Sequence, residues 1–321
     1  MKRHFVILLL ISVLFFSTSC SSPDSSQSIP ATQTVRAQVD SLVSEGVAAT
    51  LTAMPTSTAV PIADMSEEDL AAGIEVSTNE AVAASNEAAQ YADTASTDGE
   101  LTQQELDELY YLYYWSIEEL EQALYLMDLY YDLYDELIDE ALVVLESLDD
   151  DLEQLLVYTE SMLAYLDGFA QVIDQGGQVL QENYAEFQDK LAELPDKLSP
   201  ISDALPQWLQ ARDQELALLV QDVLAVMPND VAGTRREALT QVKDYIASLS
   251  GAIADGVFSL SELESLSQLG ANAAASAGQF RGDFAGISEM INGLTSSFAR
   301  GQLPQINAGI GNLQGALPSI R

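Results

Sequence analysis

Between Gly99 and Gly168 the chain contains neither glycine nor proline, and apolar residues recur through that window in alternating steps of four and three. The series runs Leu106, Tyr110, Tyr113, Ile117, Leu120, Leu124, Met127, Tyr131, Tyr134, Ile138, Ala141, Leu145, Leu148, Leu152 and Leu155. After an interruption at Thr159 it resumes at Met162 and continues through Leu166, Phe169 and Ile173. A period near 3.5 residues is helical, because strands alternate every second residue. Leu109, Leu112, Trp115, Leu129, Tyr130, Leu133, Leu137 and Val144 flank the series. The apolar face is therefore wider than a two-stranded seam, and it demands several partner helices. The spacing predicts either one helix from Glu100 to Asp167, about 100 Å long at 1.5 Å per residue, or a hairpin broken near Asp149, Asp150 and Asp151.

The rest of the chain reads as helix too. Thr34 to Met54 carries Val35, Val39, Leu42, Val43 and Val47 at helical spacing, and Pro55 to Pro61 ends it. Ser66 and Asp69 form a capping box at the head of a stretch from Glu67 to about Ala95. That stretch is rich in alanine but weakly apolar, which predicts a marginal helix or partial disorder. Gly176-Gly177, Pro195, Pro200, Pro206 and Pro228 divide the second half into shorter helices. Asn229 or Asp230 is placed to cap a helix running to about Ala254, and Ser259 to cap another. Gly278, Gly282 and Gly286 recur every four residues, a spacing that lets helix backbones approach closely. Arg281, Asp283 and Glu289 interrupt that window and place it in a water-facing bundle rather than in lipid. No alternating strand pattern occurs. The fold class is all-α: an elongated helical bundle or hairpin around the long heptad-patterned helix, with shorter Gly/Ala-rich helices toward the C-terminus.

Fifty Asp and Glu face twelve Lys and Arg, for a formal net charge of -38. From Ala37 to Asp189 there is no Lys or Arg and there are 35 Asp and Glu. Such a surface repels nucleic acid, whose backbone requires cationic partners, and it repels anionic lipid headgroups. Asp128, Asp132, Asp135, Glu136, Asp139 and Glu140 include like-charge pairs three or four apart, each costing about 0.2–0.5 kcal/mol on an isolated helix. The run reads either as a solvated outer face or as a surface for cations or a basic partner. Crowded carboxylates should also have raised pKa values, so that stability increases as pH falls.

The chain opens with Lys2 and Arg3, then an apolar run from Phe5 to Phe16 broken only by Ser12, then Ser17, Thr18, Ser19 and Cys20. The run is too short to cross a bilayer as a helix and suits the apolar region of a signal peptide. Small residues ahead of a lone cysteine resemble the lipobox of bacterial lipoproteins, although Ser17 stands where that motif usually has an aliphatic residue. The resemblance covers about the first twenty residues. It implies a covalent lipid on Cys20, anchorage to a membrane and an extracytoplasmic place in the cell envelope. Ordinary signal cleavage is the rival reading, and it would leave an unpaired cysteine at the N-terminus of a secreted chain. Acyl chains would supply the membrane affinity that the acidic chain lacks, at about 0.8 kcal/mol per buried methylene. The chain then divides into 1–19 signal peptide, 20–33 lipidated cysteine and polar tether, and 34–98 weakly apolar helical segment. The long acidic Tyr-rich segment follows at 99–194, and a helical C-terminal portion at 195–321.

Chemistry is constrained by what the sequence lacks. His4 is the only histidine and Cys20 the only cysteine, which removes intrachain disulfides, histidine-based acid–base catalysis, thiol nucleophiles and the usual zinc and haem ligands from the mature chain. No GxxxxGK[ST] or GxGxxG motif occurs. No catalytic residues and no resident cofactor are expected. Asp98, Gly99, Leu101 and Glu105 match the second half of an EF-hand loop, as do Asp255, Gly256, Phe258 and Glu262. Thr94, Ser96, Gly251 and Ile253 stand where the first carboxylates should be. Asp98, Glu105, Asp255 and Glu262 are thus candidate Ca²⁺ ligands, against a plainer reading as Asp-Gly turns followed by capping boxes Thr102/Glu105 and Ser259/Glu262. Tyr110, Tyr111, Tyr113, Tyr114, Tyr125, Tyr130, Tyr131 and Tyr134 form either a sugar-stacking platform or core packing. The function these features predict is a non-catalytic structural or interaction lipoprotein with an unidentified protein partner and scope for self-association through its helices. A cation-binding acidic surface protein is the second reading, and a carboxylate-dependent hydrolase the third.

Overall fold

The computed structural model describes residues 65–95, 100–179, 181–254, 256–280, 282, 284 and 286–317. The expected signal peptide and tether, Cys20, the stretch Thr34–Met54, Asp98, Gly99, Asp255, Arg281 and Asp283 lie outside them. Among the described residues all regular structure is helical. The elements are α1 (Glu67–Ala95), α2 (Gln103–Tyr134), α3 (Asp139–Asp174), α4 (Gln181–Leu191), α5 (Leu194–Ala225), α6 (Arg235–Ala252), α7 (Leu260–Gln279), α8 (Ile287–Ala299) and α9 (Leu303–Ala316).

Four long helices make the bundle. α1 packs on α2, α2 on α3, α3 on α5, and α5 back on α1, so the ring closes. Short α4 lies against α1 and α3. α1 is a fully formed helix of 29 residues. The alanines that make it weakly apolar are what let it lie close: Ala71, Ala81, Ala84, Ala88, Ala92 and Ala95 are all buried. Ser85 and Ser116 share a buried hydrogen bond at 2.6 Å across the same seam. The Ser66/Asp69 box forms as its spacing predicts. Ser66 Oγ accepts the Asp69 N–H at 3.2 Å, and Asp69 Oδ2 accepts the Ser66 N–H at 3.0 Å.

Every member of the heptad series is buried or half-buried. Thr159 belongs to the buried face as well, its hydroxyl donating to Leu155 O at 2.8 Å. The long segment is not one helix, however, and it does not break at Asp149–Asp151, which lie inside α3. It turns at Asp135–Ile138. There Leu137 N–H donates to Tyr134 O at 3.0 Å, and Leu137 and Ile138 are both buried. A turn whose second half is two core residues keeps the apolar pattern running through the reversal. The carboxylates at 149–151 sit on the half-exposed side of α3, where water solvates them and nothing requires a break.

Pro200 and Pro206 were expected to divide the chain, yet α5 runs through both for 32 residues. Both prolines are exposed, between the buried Leu198, Ile201, Leu205 and Trp208. Each removes one hydrogen bond to the carbonyl four residues back, on the side where water replaces it, so packing of the inner face outweighs the loss.

The remaining helices stack behind, α6 on α7, α7 on α8, α8 on α9, with α8 also against α5. α6 starts later than expected. Its cap is Thr234, in a full capping box with Glu237. Asn229 and Asp230 instead turn their N–H groups onto Asn272 Oδ1, at 2.9 and 3.2 Å. Ser259 caps α7 as predicted. The Gly278–Gly286 spacing is not a helix contact: a side chain at Gly278 would meet nothing within 4 Å, and Gly282 and Gly286 have positive φ outside the helices. Close approach occurs at Gly270 instead, where a Cβ would lie 2.7 Å from Thr295 Oγ1 and 3.2 Å from Tyr245 Cε2.

Two aromatic clusters anchor the structure. Phe187 of α4 gathers Tyr113, Tyr165, Phe169 and Tyr184 at centroid distances of 5.6–6.5 Å. At the other end of α2, Tyr130 meets Trp208 edge-on at 5.4 Å. There Tyr134 stacks on Phe258 at 5.3 Å, and Phe258 packs on Phe298. This second cluster joins the bundle to α6–α9, and the Phe258 N–H donation to Leu133 O at 3.1 Å reinforces the junction.

Candidate functional site

Polar groups concentrate in two places, one inside the molecule and one on its surface. The inner one is built on Glu67, which opens α1 and is 1 % exposed. Its N–H donates to Gly301 O at 3.1 Å. Its carboxylate accepts from Arg212 Nη2 at 3.1 Å, from Arg212 Nε and from the Tyr130 hydroxyl. Arg212 Nη1 also contacts Asp213 at 3.2 Å, and the Tyr134 hydroxyl donates to Gly301 O at 3.4 Å. Burial, and then the Glu67 charge, push the Tyr130 and Tyr134 hydroxyls up, so both stay protonated donors. Burial pulls Arg212 down, but its hydrogen bond and charge contact with Glu67 outweigh it and leave the guanidinium a cation. Both carboxylate oxygens and the guanidinium fork are committed to each other, so the node is a lock between α1, α2, α5 and the turn before α9.

Sequence reasoning missed this lock, since 145 residues separate Arg212 from Glu67 and no local spacing points from one to the other. It also missed two carboxylates that serve distant helix ends. α3 has no local side-chain cap. Glu215 of α5 supplies one, accepting the N–H groups of Glu140 and Ala141 at 2.9 and 2.8 Å. Glu136 accepts the N–H of Leu260 at the start of α7 at 3.1 Å. A helix N-terminus carries a partial positive charge, and here it stands in for the missing cations.

The candidate Ca²⁺ residues divide. Asp98 and Asp255 lie outside the described residues. Glu105 closes the Thr102 capping box, accepting the Thr102 N–H at 2.8 Å. Glu262 accepts the Ser259 hydroxyl at 2.8 Å. Each described glutamate is thus engaged at its own helix start.

The surface place is the outward face of α2. Its core face carries Leu106, Leu109, Leu112, Tyr113, Ser116, Leu120, Ala123 and Met127. At 3.6 residues per turn, the opposite side presents Asp107, Tyr111, Tyr114, Glu118, Glu121, Tyr125, Asp128 and Asp132, all exposed. The tyrosine cluster therefore splits. Tyr113, Tyr130 and Tyr134 are buried packing; Tyr110 and Tyr131 are half-buried; Tyr111, Tyr114 and Tyr125 face solvent at 46, 54 and 47 % exposure. Tyr110 stacks on Tyr114 at 6.1 Å with 19° between planes, and donates its hydroxyl to Asp167 at 2.6 Å. Tyr111 lies against Trp115 at 6.4 Å. Trp115 in turn hydrogen-bonds Glu119, whose carboxyl is raised by burial and by the neighbouring Glu80.

Beside α3 and the start of α5 runs an open groove lined by Asp150, Glu153, Gln154, Val157, Tyr158, Ser161 and Lys197. The Lys197 ammonium sits 4.9 Å from the Tyr158 ring centroid. Burial and Asp150 raise the nearby Asp151 carboxyl. Among the described residues no helix is long and apolar enough to cross a membrane. Comparison with protein-family models, with curated proteins and with solved structures gave no match.

Proposed function

We propose that the chain is a non-catalytic interaction protein, lipid-anchored through Cys20 on the outer face of a bacterial membrane, which presents its helical bundle to a protein partner. The observation that carries the reading is the outward face of α2. It keeps Tyr111, Tyr114 and Tyr125 in solvent on the side away from the core, where large rings contribute little to the packing of the fold. The lipobox-like stretch ending at Cys20 supports the anchoring, and the Ser22–Pro30 stretch would serve as its tether.

The test uses the full chain in a bacterial host. Anchored protein should enter the detergent phase with acyl mass on Cys20, and Cys20→Ser should move it to the aqueous phase. A photo-crosslinking residue at position 114 should yield a discrete adduct with another protein. The same residue at exposed Lys243 of α6 should not. Aqueous partitioning with unmodified Cys20 would overturn the anchor, and identical crosslinks from both positions would overturn the interaction face.

A further inference from the structure

We infer that the outward face of α2 seats an arginine-rich polypeptide segment; this rests on the interaction reading and names the chemistry of its partner. From Asp107 to Asp132 the face runs about 38 Å along the helix at 1.5 Å per residue, long enough for several side-chain contacts in a row. Each exposed ring has a carboxylate one turn away on the same side: Tyr111 has Asp107, Tyr114 has Glu118, and Tyr125 has Glu121 and Asp128. Ring and carboxylate at that spacing match the two recognition modes of a guanidinium. Its plane stacks on an aromatic face while its N–H fork donates to carboxylate oxygens. An ammonium is a strongly hydrated point charge and uses the carboxylate alone.

Charge complementarity selects this occupant. α1, α2 and α3 contain no Lys or Arg, so no cation carried by these three helices repels a cationic segment or competes for the carboxylates. The same field repels nucleic acid and anionic lipid. Like-charge pairs on the face, such as Glu118 with Glu121 and Asp128 with Asp132, are relieved when a cation docks.

The probes are an oligo-arginine and an oligo-lysine peptide of equal length, each titrated against the full chain in detergent at near-physiological salt. Oligo-arginine should bind about tenfold tighter or more. The double variant Tyr111→Ser, Tyr114→Ser, which leaves only Tyr125 on the face, should remove most of the arginine preference and leave oligo-lysine unchanged. A thermal melt would confirm that the variant folds. Equal binding of the two peptides by the unaltered chain, or an arginine preference undiminished in the double variant, overturns the assignment. A neutral oligosaccharide is the control. Binding of it that the double variant abolishes, without any arginine preference, would assign the rings to sugar and overturn the proposal as well. A position-114 crosslink without arginine preference would leave the interaction reading standing and remove only this chemistry. Loss of the crosslink with arginine preference retained would do the reverse.

Discussion

α1, α2 and α3 carry no lysine or arginine of their own, whereas α6 opens on Arg235-Arg236 and carries Lys243. Local caps occur in both regions, Ser66/Asp69 at α1 and Thr102/Glu105 at α2 among them, and α3 is the departure. α6 and α7 start on residues of their own sequence, Thr234 with Glu237 and Ser259 with Glu262. α3 takes its cap from Glu215, 75 residues away from Glu140. The second region adds to its apolar core the close approach of small residues and short polar contacts, such as Tyr245 to Thr295 at 2.8 Å beneath Gly270. The first is held by long apolar seams and one buried ion pair. A highly anionic bundle thus needs few cations. Helix N-termini and water take most of the charge, and the stability that remains at stake is concentrated at a few buried positions.

The largest expected difference between the regions is at arginine. Arg212→Met leaves Glu67 buried without its cation and should destabilise the chain by about 3–5 kcal/mol, while Arg236→Met on exposed α6 should stay within about 0.5 kcal/mol. Denaturant unfolding of both decides it, and similar losses would break the comparison. Next comes glycine. Gly301 has a φ of 59°, and a Cβ there would lie 2.5 Å from Tyr134 Cε1 and 2.9 Å from Glu67 Cβ. Gly301→Ala should therefore cost about 1–3 kcal/mol or more. Gly278→Ala, within α7 and facing open space, should be stabilising by about 0.5–1 kcal/mol.

Glu215→Gln should cost about 1 kcal/mol through the weakened cap of α3, read as a drop in melting temperature that added salt diminishes. Smaller still is the pH effect. The Glu119 and Asp151 carboxyls are raised by burial and then by acidic neighbours. A raised folded-state pKa favours the protonated native form, so the strain these groups impose at neutral pH is relieved as pH falls through their folded values. The melting temperature should rise from about pH 7.5 toward about pH 5, and a steady fall over that range would refute the assignment. Smallest are Tyr111→Ser and Tyr114→Ser, each expected within about 0.5 kcal/mol because neither ring is part of the core.

What could be read from the sequence follows the range of the interactions. The heptad positions and the boxes at Ser66/Asp69 and Thr102/Glu105 depend on neighbours three or four residues away, and they form where the spacing puts them. The α2–α3 turn carries no glycine or proline, and its apolar Leu137 and Ile138 disguise it as continuing helix. Pro200 and Pro206 signal a break that packing of Trp208 and its neighbours overrides. Thr234 and Glu237 show the capping pattern plainly, but Asn229 and Asp230 offered an earlier start, and only Asn272 in α7 explains why they do not cap. Tyr111, Tyr114 and Tyr125 fall off the heptad series, but so does the buried Tyr130, so the spacing alone does not separate the rings that face water from those that pack. Glu67 and Arg212 left no sign, because only the folded topology brings them together.

The hydrogen bond from Glu67 to Gly301 also bears on the order in which the molecule forms. Its donor opens the first helix of the bundle, and its acceptor precedes the last. Tyr134, which shares that acceptor, is 167 residues from it. Contacts of such separation close late, because loop entropy must be overcome before they form. The head of α1 therefore completes its surroundings only when Gly301 is available, and a chain still emerging would leave the Glu67 N–H to water until then, even with Arg212 already on the carboxylate.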